Sequence, residues 1–308
     1  MDRAVLPSIL NDLCDDSHRA HPDREPIRQC ALSGVERLHF PSGSTAVFKY
    51  AQDPLTGEDL VLRSARHAGL PVPQVIASIA RDGVLGMLLE DLGEPIREAG
   101  DTDGIVAAVA LHAAPHPTGS SIPHMDEDAL AALPILARGH LRRLREAGRW
   151  MDGTDDIAGL LDELDARAED LAAGANIPPY GWVHSQFHPG SLHLGADGWR
   201  LLDFARSFTG PCLLDIASWH GTTTDPDPAR LRTLLEAYVA AGGSAAALAP
   251  RGGGLPAEVW ALVWHRVWTA EWLMEEALRW INDPDQDPHT IAAVRRHLTG
   301  AVGLLLAA

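Results

Sequence analysis

Residues with chemical potential cluster in a few short stretches. His184-Ser185-Gln186-Phe187-His188-Pro189-Gly190-Ser191-Leu192-His193 crowds histidines, serines and a glutamine together, and Asp203 follows in Leu201-Leu202-Asp203-Phe204. Far upstream, Lys49 interrupts the apolar run Ala46-Val47-Phe48-Lys49-Tyr50, and Glu58 opens Glu58-Asp59-Leu60-Val61-Leu62-Arg63. Histidines at this density raise metal binding first. His184 and His188 are four apart, a spacing that brings two imidazoles together only on a helix. Pro189-Gly190 works against a helix there, so zinc is disfavoured and His184 reads as a structural, backbone-bonded histidine. Lys49 is the only lysine of the chain, and a charge inside an apolar strand is costly unless something answers it. The same holds for Asp203 behind two leucines. Glu58 has a simple reading as a helix N-terminal acid favoured by the dipole, and a functional one as a partner for a cation.

The elements that must position these residues are legible from periodicity. A short helix and then a turn at His21-Pro22-Asp23-Arg24-Glu25-Pro26 are expected first. Ile27–Tyr50 is strand-like, with a turn at Pro41-Ser42-Gly43-Ser44. Residues 57–69 carry an approximate apolar helical face ended by Gly69. Pro71-Val72-Pro73 forces extended chain, and strands follow at Gln74–Ala80 and Val84–Leu89, turning at Asp82-Gly83. Beyond Gly93 the text is Ala/Leu-rich with helical spacing at 103–113, 126–149, 155–173, 228–242, 256–281 and 289–307, broken by strands and turns over Gly181–Phe204. Trp260, Trp264, Trp268 and Trp272 recur along one drifting helical face, as core residues do. The implied class is α+β, a small antiparallel-sheet region over 1–93 and a mostly helical region over 94–308.

Composition narrows the function. The 308 residues are 46% hydrophobic and 22% charged, as in a globular protein. A net charge of −17 argues against nucleic acid or an anionic membrane surface as partner. Cys14, Cys30 and Cys212 have no metal-ligand spacing and suggest a reducing, cytoplasmic setting. Met1–Ala20 does not read as a signal peptide, and Ala301–Ala308 reads as the end of a packed helix.

Taken together, these motifs resemble the aminoglycoside and choline phosphotransferases, over about residues 28–220. That family carries His-Gly-Asp-x-His-Pro-Gly-Asn, a short hairpin, and Ile-Asp-Phe/Trp; here His184, His188, Pro189, Gly190, Asp203 and Phe204 match. Leu70-Pro71-Val72-Pro73, Leu88-Leu89-Glu90-Asp91-Leu92-Gly93, Ala110-Leu111-His112 and Leu214-Asp215-Ile216-Ala217 are similar to further family segments. The resemblance implies a two-lobed, protein-kinase-like fold using ATP and magnesium, with a small-molecule or peptide hydroxyl as acceptor. It assigns Lys49 to the nucleotide phosphates, Glu58 to holding Lys49, Glu90 and Leu92 to the adenine-binding hinge, and Asp203 to magnesium. Asp215 could contact substrate, but a helix-cap or loop-bracing role is the simpler reading. The family's acidic acceptor sites draw notice to Asp126, Glu127, Asp128, Asp155, Asp156, Glu163 and Glu169, for which a solvated helix face is the simpler reading.

Two family positions differ. Gln186 stands where the catalytic Asp belongs and Ser191 where the metal-binding Asn belongs. Glutamine takes no proton at neutral pH but its carbonyl accepts a hydrogen bond from a hydroxyl. The glycine-rich loop is also irregular, Ser33-Gly34 and Ser42-Gly43-Ser44 being its candidates. The sequence thus carries two readings. One is a kinase in which Gln186 orients the hydroxyl with help from Ser191 and His184. The other is a pseudokinase that binds nucleotide, peptide or a partner protein without transfer.

Overall fold

The computed structural model describes residues 5–17, 19–115 and 122–308. Residues 1–4 and 18, part of the Met1–Ala20 stretch read above, lie outside them. The chain divides into two compact units: the residues up to Ala99 with Pro189–Ser207, and Gly100–His188 with Phe208–Ala308.

The first unit opens with helix α1, Val5–Asp16, whose Leu6, Ile9, Leu10 and Leu13 are buried at helical spacing. Five strands follow: β1 Asp23–Gln29, β2 Ser33–His39, β3 Thr45–Gln52, β4 Val75–Arg81 and β5 Val84–Leu89, with α2, Glu58–His67, between β3 and β4. The sheet is antiparallel throughout, in the order β1-β2-β3-β5-β4. The apolar side of α1 joins Leu38, Phe40, Ala46, Phe48, Tyr50 and Leu88 in one core. Gly86 permits the approach, since a Cβ there would stand 2.4 Å from Ile9 Cγ2. Because side chains alternate along a strand, β3 turns Ala46, Phe48 and Tyr50 to this core and leaves Val47 and Lys49 on the opposite face.

β1 differs from expectation. The turn foreseen around Pro22–Pro26 is strand from Asp23 onward, fully exposed and at the sheet edge. An edge strand with no buried face has no alternation to read, and Pro26 sits where the register with β2 slips, a place where a missing N–H costs little.

The second unit begins with α3, Asp101–Ala113. The expected helix over 126–149 is two, α4 Glu127–Ala131 and α5 Leu133–Glu146, and 155–173 likewise splits into α6 Asp155–Asp165 and α7 Ala168–Ala172. Strand β6, Tyr180–Val183, leads to the His184 loop. The chain then returns to the first unit for the hairpin β7 Leu192–Gly195 and β8 Gly198–Leu201, tied there by Leu201 N–H to Pro71 O (2.8 Å) and Ile96 N–H to Leu194 O (2.8 Å). β9, Phe208–Pro211, pairs with β6, and α8 Leu213–His220, α9 Pro228–Ala240, α10 Ala257–Arg279 and α11 Asp287–Ala307 complete the second unit. Helix α10 is its axis: Trp260, Trp264 and Trp268 are buried, and the first two donate their indole N–H to Leu171 O. α11 buries Ala301, Val302, Leu304 and Leu305, as expected of the tail.

Candidate functional site

Lys49 is the centre of the first unit's polar chemistry. Its face of β3 also bears Val47, and the register sets Val35 and Met87 opposite Lys49 on the neighbouring strands. Its ammonium lies 2.7 Å from Glu58 Oε1 and 2.6 Å from Oε2, and 2.7 Å from Asp203 Oδ1. Glu58 is the first residue of α2 and only 1% exposed. Asp203 follows β8 with φ of 68°, a left-handed backbone unusual outside glycine. The next peptide, Phe204 N–H, donates to Glu58 Oε1 at 3.0 Å, so one carboxylate holds both the lysine and the Asp203 turn. Burial opposes a charge on Lys49, but the Glu58 and Asp203 carboxylates outweigh it and hold the ammonium above its ordinary range. Arg28, at the end of β1, reaches Asp203 Oδ2 at 3.3 Å.

These groups stand in the wall of a cavity of about 570 Å³ within the first unit. Apolar walls come from Val35, Val47, Leu62 and Leu89, a makeup common to pockets for planar organic ligands. The stretch after β5 closes one side. Glu90 is locked by two bonds to Gln74, its N–H to Gln74 O and its Oε2 from Gln74 N–H, each 2.9 Å. Asp91 accepts from Gly93 N–H at 3.0 Å and pairs with Arg37, which also reaches Glu94. Burial pushes the Asp91 carboxyl up, but Gly93 N–H, Thr45 and Arg37 outweigh it and hold it below the usual range.

The structure gathers Lys49, Glu58, Glu90, Leu92 and Asp203 on this one cavity. Ser191 is 2% exposed and does not line it, although Pro189, Gly190 and Leu192 do. His184 and the half-buried Gln186 belong to the second unit. There Asp215, fully buried, accepts His184 N–H and Ser185 N–H, each at 2.8 Å, and lies 3.4 Å from His112 Nε2. Ser185 takes a left-handed backbone, φ 72°, under this double grip. Asp215 thus braces the loop, as its sequence reading expected. Several of the flagged acids are engaged in structure: Asp126 caps α4 through Ala129 N–H, Glu127 accepts Gly174 N–H, Asp155 pairs with Arg145 and Asp156 with Arg295.

Arg28 and Arg37 escaped the sequence reading. Arg37 had a signal: in β2 it shares a face with Val35, both pointing to the Lys49 side. Arg28 had none, being one exposed charge in an exposed strand. Gly34 is a packing glycine, since a Cβ there would meet the Tyr50 ring at 2.3 Å. Gly43, with φ of 83°, makes the β2–β3 turn.

Residues 45–251, well over half of the chain, match the phosphotransferase enzyme family. The chain belongs to that family. Among curated proteins no sequence matches. Solved structures share this chain's fold. Choline kinase from Cryptosporidium parvum Iowa II has a TM-score of 0.65 at 11% identity, covering 98% of this chain and 97% of the other. Macrolide 2'-phosphotransferase MphH from Brachybacterium faecium gives 0.58 at 16%, covering 92% and 97%. Amicoumacin kinase, solved with AMP-PNP and Ca2+, gives 0.58 at 14%, covering 97% and 96%. The kinase-like fold expected from the motifs is the fold observed. Among the described residues no helix is long and apolar enough to cross a membrane.

Proposed function

We propose that this protein binds magnesium-ATP in the Lys49 cavity and transfers the γ-phosphate to a hydroxyl of a small molecule or peptide, in the cytoplasm. The observation that carries the reading is the Lys49 ammonium held between Glu58 and Asp203 on an apolar-walled cavity. Phosphoryl transfer is mainly positioning and charge neutralisation, and a lysine fixed by a buried carboxylate is suited to both. Glu90 and Leu92 edge the same cavity, where backbone groups would meet the adenine.

Asp203 fits a magnesium ligand by donor chemistry: a hard carboxylate on the cavity wall, its side chain 24% exposed. Magnesium, when bound, neutralises phosphate charge. Lys49 orients the phosphates and Gln186 accepts a hydrogen bond from the acceptor hydroxyl, with Ser191 as an auxiliary oxygen and His184 shaping the loop. The amicoumacin kinase solved with a nucleotide analogue and calcium supports a nucleotide and a divalent ion, and the choline kinase and macrolide phosphotransferase favour a small-molecule acceptor.

Glutamine at 186 and serine at 191 favour a second reading, a pseudokinase that binds nucleotide, a peptide or a partner protein without transfer. Calorimetry of ATP with and without magnesium, on the wild type and on Lys49→Ala, tests the shared part. Magnesium-dependent binding lost in the variant is expected; no binding up to millimolar ATP sinks both nucleotide readings. Gln186→Asp with Ser191→Asn then separates them. A gain of turnover on an acceptor panel marks an attenuated kinase, and continued silence with ATP bound marks a pseudokinase.

A further inference from the structure

The second unit holds a polar cluster that the nucleotide site does not use. His140 projects from α5, and Glu271 and Glu275 project from α10 one turn apart. Residues four apart share a helix face, so both carboxylates turn the same way, toward α5. His140 Nε2 lies 3.0 Å from Glu271 Oε1, and one ligand atom from each of the three residues falls within 4.8 Å of the others. Their side chains are only 8%, 12% and 20% exposed.

Two largely buried carboxylates on one face repel, and each needs a compensating positive charge. Glu275 has Arg279, 3.0 Å away and half in solvent. Glu271 lies 3.0 Å from the His140 imidazole. A plain His140–Glu271 hydrogen bond engages two members of the cluster, and the one-turn spacing on α10 sets Glu275 beside them. One divalent cation can be shared by all three. Tetrahedral ligands about 2.0–2.2 Å from a zinc ion are about 3.3–3.6 Å apart, so the cluster needs a contraction of about 1.2–1.5 Å, within reach of side-chain rotation. An imidazole with two carboxylates suits zinc and the other first-row ions, not magnesium or calcium.

We propose that His140, Glu271 and Glu275 form a zinc-class metal site, a water completing its coordination, that cross-links α5 to α10. The ion neutralises the carboxylate pair and fastens the tryptophan-bearing helix to its neighbour.

The full-length protein, stripped with chelator and titrated with zinc(II) alone by calorimetry, tests this. One equivalent is expected to bind, and zinc is expected to raise the melting temperature. His140→Ala should abolish the binding. Glu275→Gln is the decisive variant, since a purely structural His140–Glu271 hydrogen bond would survive it. It should keep the melting temperature of the chelated wild type, yet lose about 100-fold or more in zinc affinity, given that even outer-shell partners are worth 10- to 100-fold. Absent binding, or binding equal in the wild type and Glu275→Gln, overturns the proposal.

Discussion

Lys49 Nζ stands 2.7 Å from Asp203 Oδ1, across 154 residues of sequence, and the same ammonium touches both oxygens of Glu58. The lysine therefore does structural duty for two carboxylates at once. Lys49→Ala leaves Glu58, 1% exposed, without its counter-charge. Removing one member of a buried pair costs about 3–5 kcal/mol, whereas replacing both is often near neutral. Urea denaturation should show that loss for Lys49→Ala and a large recovery in Lys49→Met/Glu58→Gln. The double variant should still bind no ATP, which separates stability from binding.

Arg28 contributes differently. Its pair with Asp203 is exposed, at 56% for the arginine side chain, and such pairs are worth about 0–1 kcal/mol. Arg28→Ala should leave the denaturation midpoint nearly unchanged. It should weaken ATP more than AMP, because a guanidinium at the cavity edge is suited to phosphate oxygens. Equal loss for both nucleotides in calorimetry would remove Arg28 from the phosphate side of the site.

Asp215 supports the His184 loop through two amide hydrogen bonds. Asp215→Ala strands buried donors, at about 1–3 kcal/mol each. The expected result is a lower melting temperature together with faster hydrogen exchange at the His184 and Ser185 amides. A melting change with those amides still protected would mean that Asp215 acts elsewhere.

Acid sensitivity should begin with His297. Burial, then Arg266 and Arg296, press its pKa down to about 3. Its unfolded value is about 6.5, so the folded state favours the neutral ring. The stability this confers is complete above about pH 6.5. It is lost as pH falls toward 3, because the unfolded chain takes the proton first. Between pH 6.5 and pH 5 the loss is about 2 kcal/mol. His220, also lowered, adds in the same direction. His297→Leu should flatten the fall of the urea midpoint between pH 7 and pH 5, and an unchanged slope would reject this source.

Much of the fold was readable because it rests on local patterns. The β3 run around Lys49, the apolar face of α2 and the turn at Asp82-Gly83 each encode their own conformation. The first half of β1, Asp23–Pro26, was misread as a turn for the converse reason: an exposed edge strand takes its shape from pairing with β2, which leaves no mark on its own residues. The breaks between α4 and α5 and between α6 and α7 were missed because an Ala/Leu-rich text keeps its helical spacing across a short irregular step.

For the site, residue types alone singled out Lys49 and Asp203, since a charge within an apolar run costs free energy wherever it folds. The motifs gave roles to Glu58 and the His184 loop and added Glu90 and Leu92. Tertiary structure alone decided that Glu58 would also take the Phe204 peptide, that Arg28 would reach Asp203, and that His140 would meet Glu271 and Glu275. Those are contacts between residues distant in sequence, set by packing and register, and no local spacing records them.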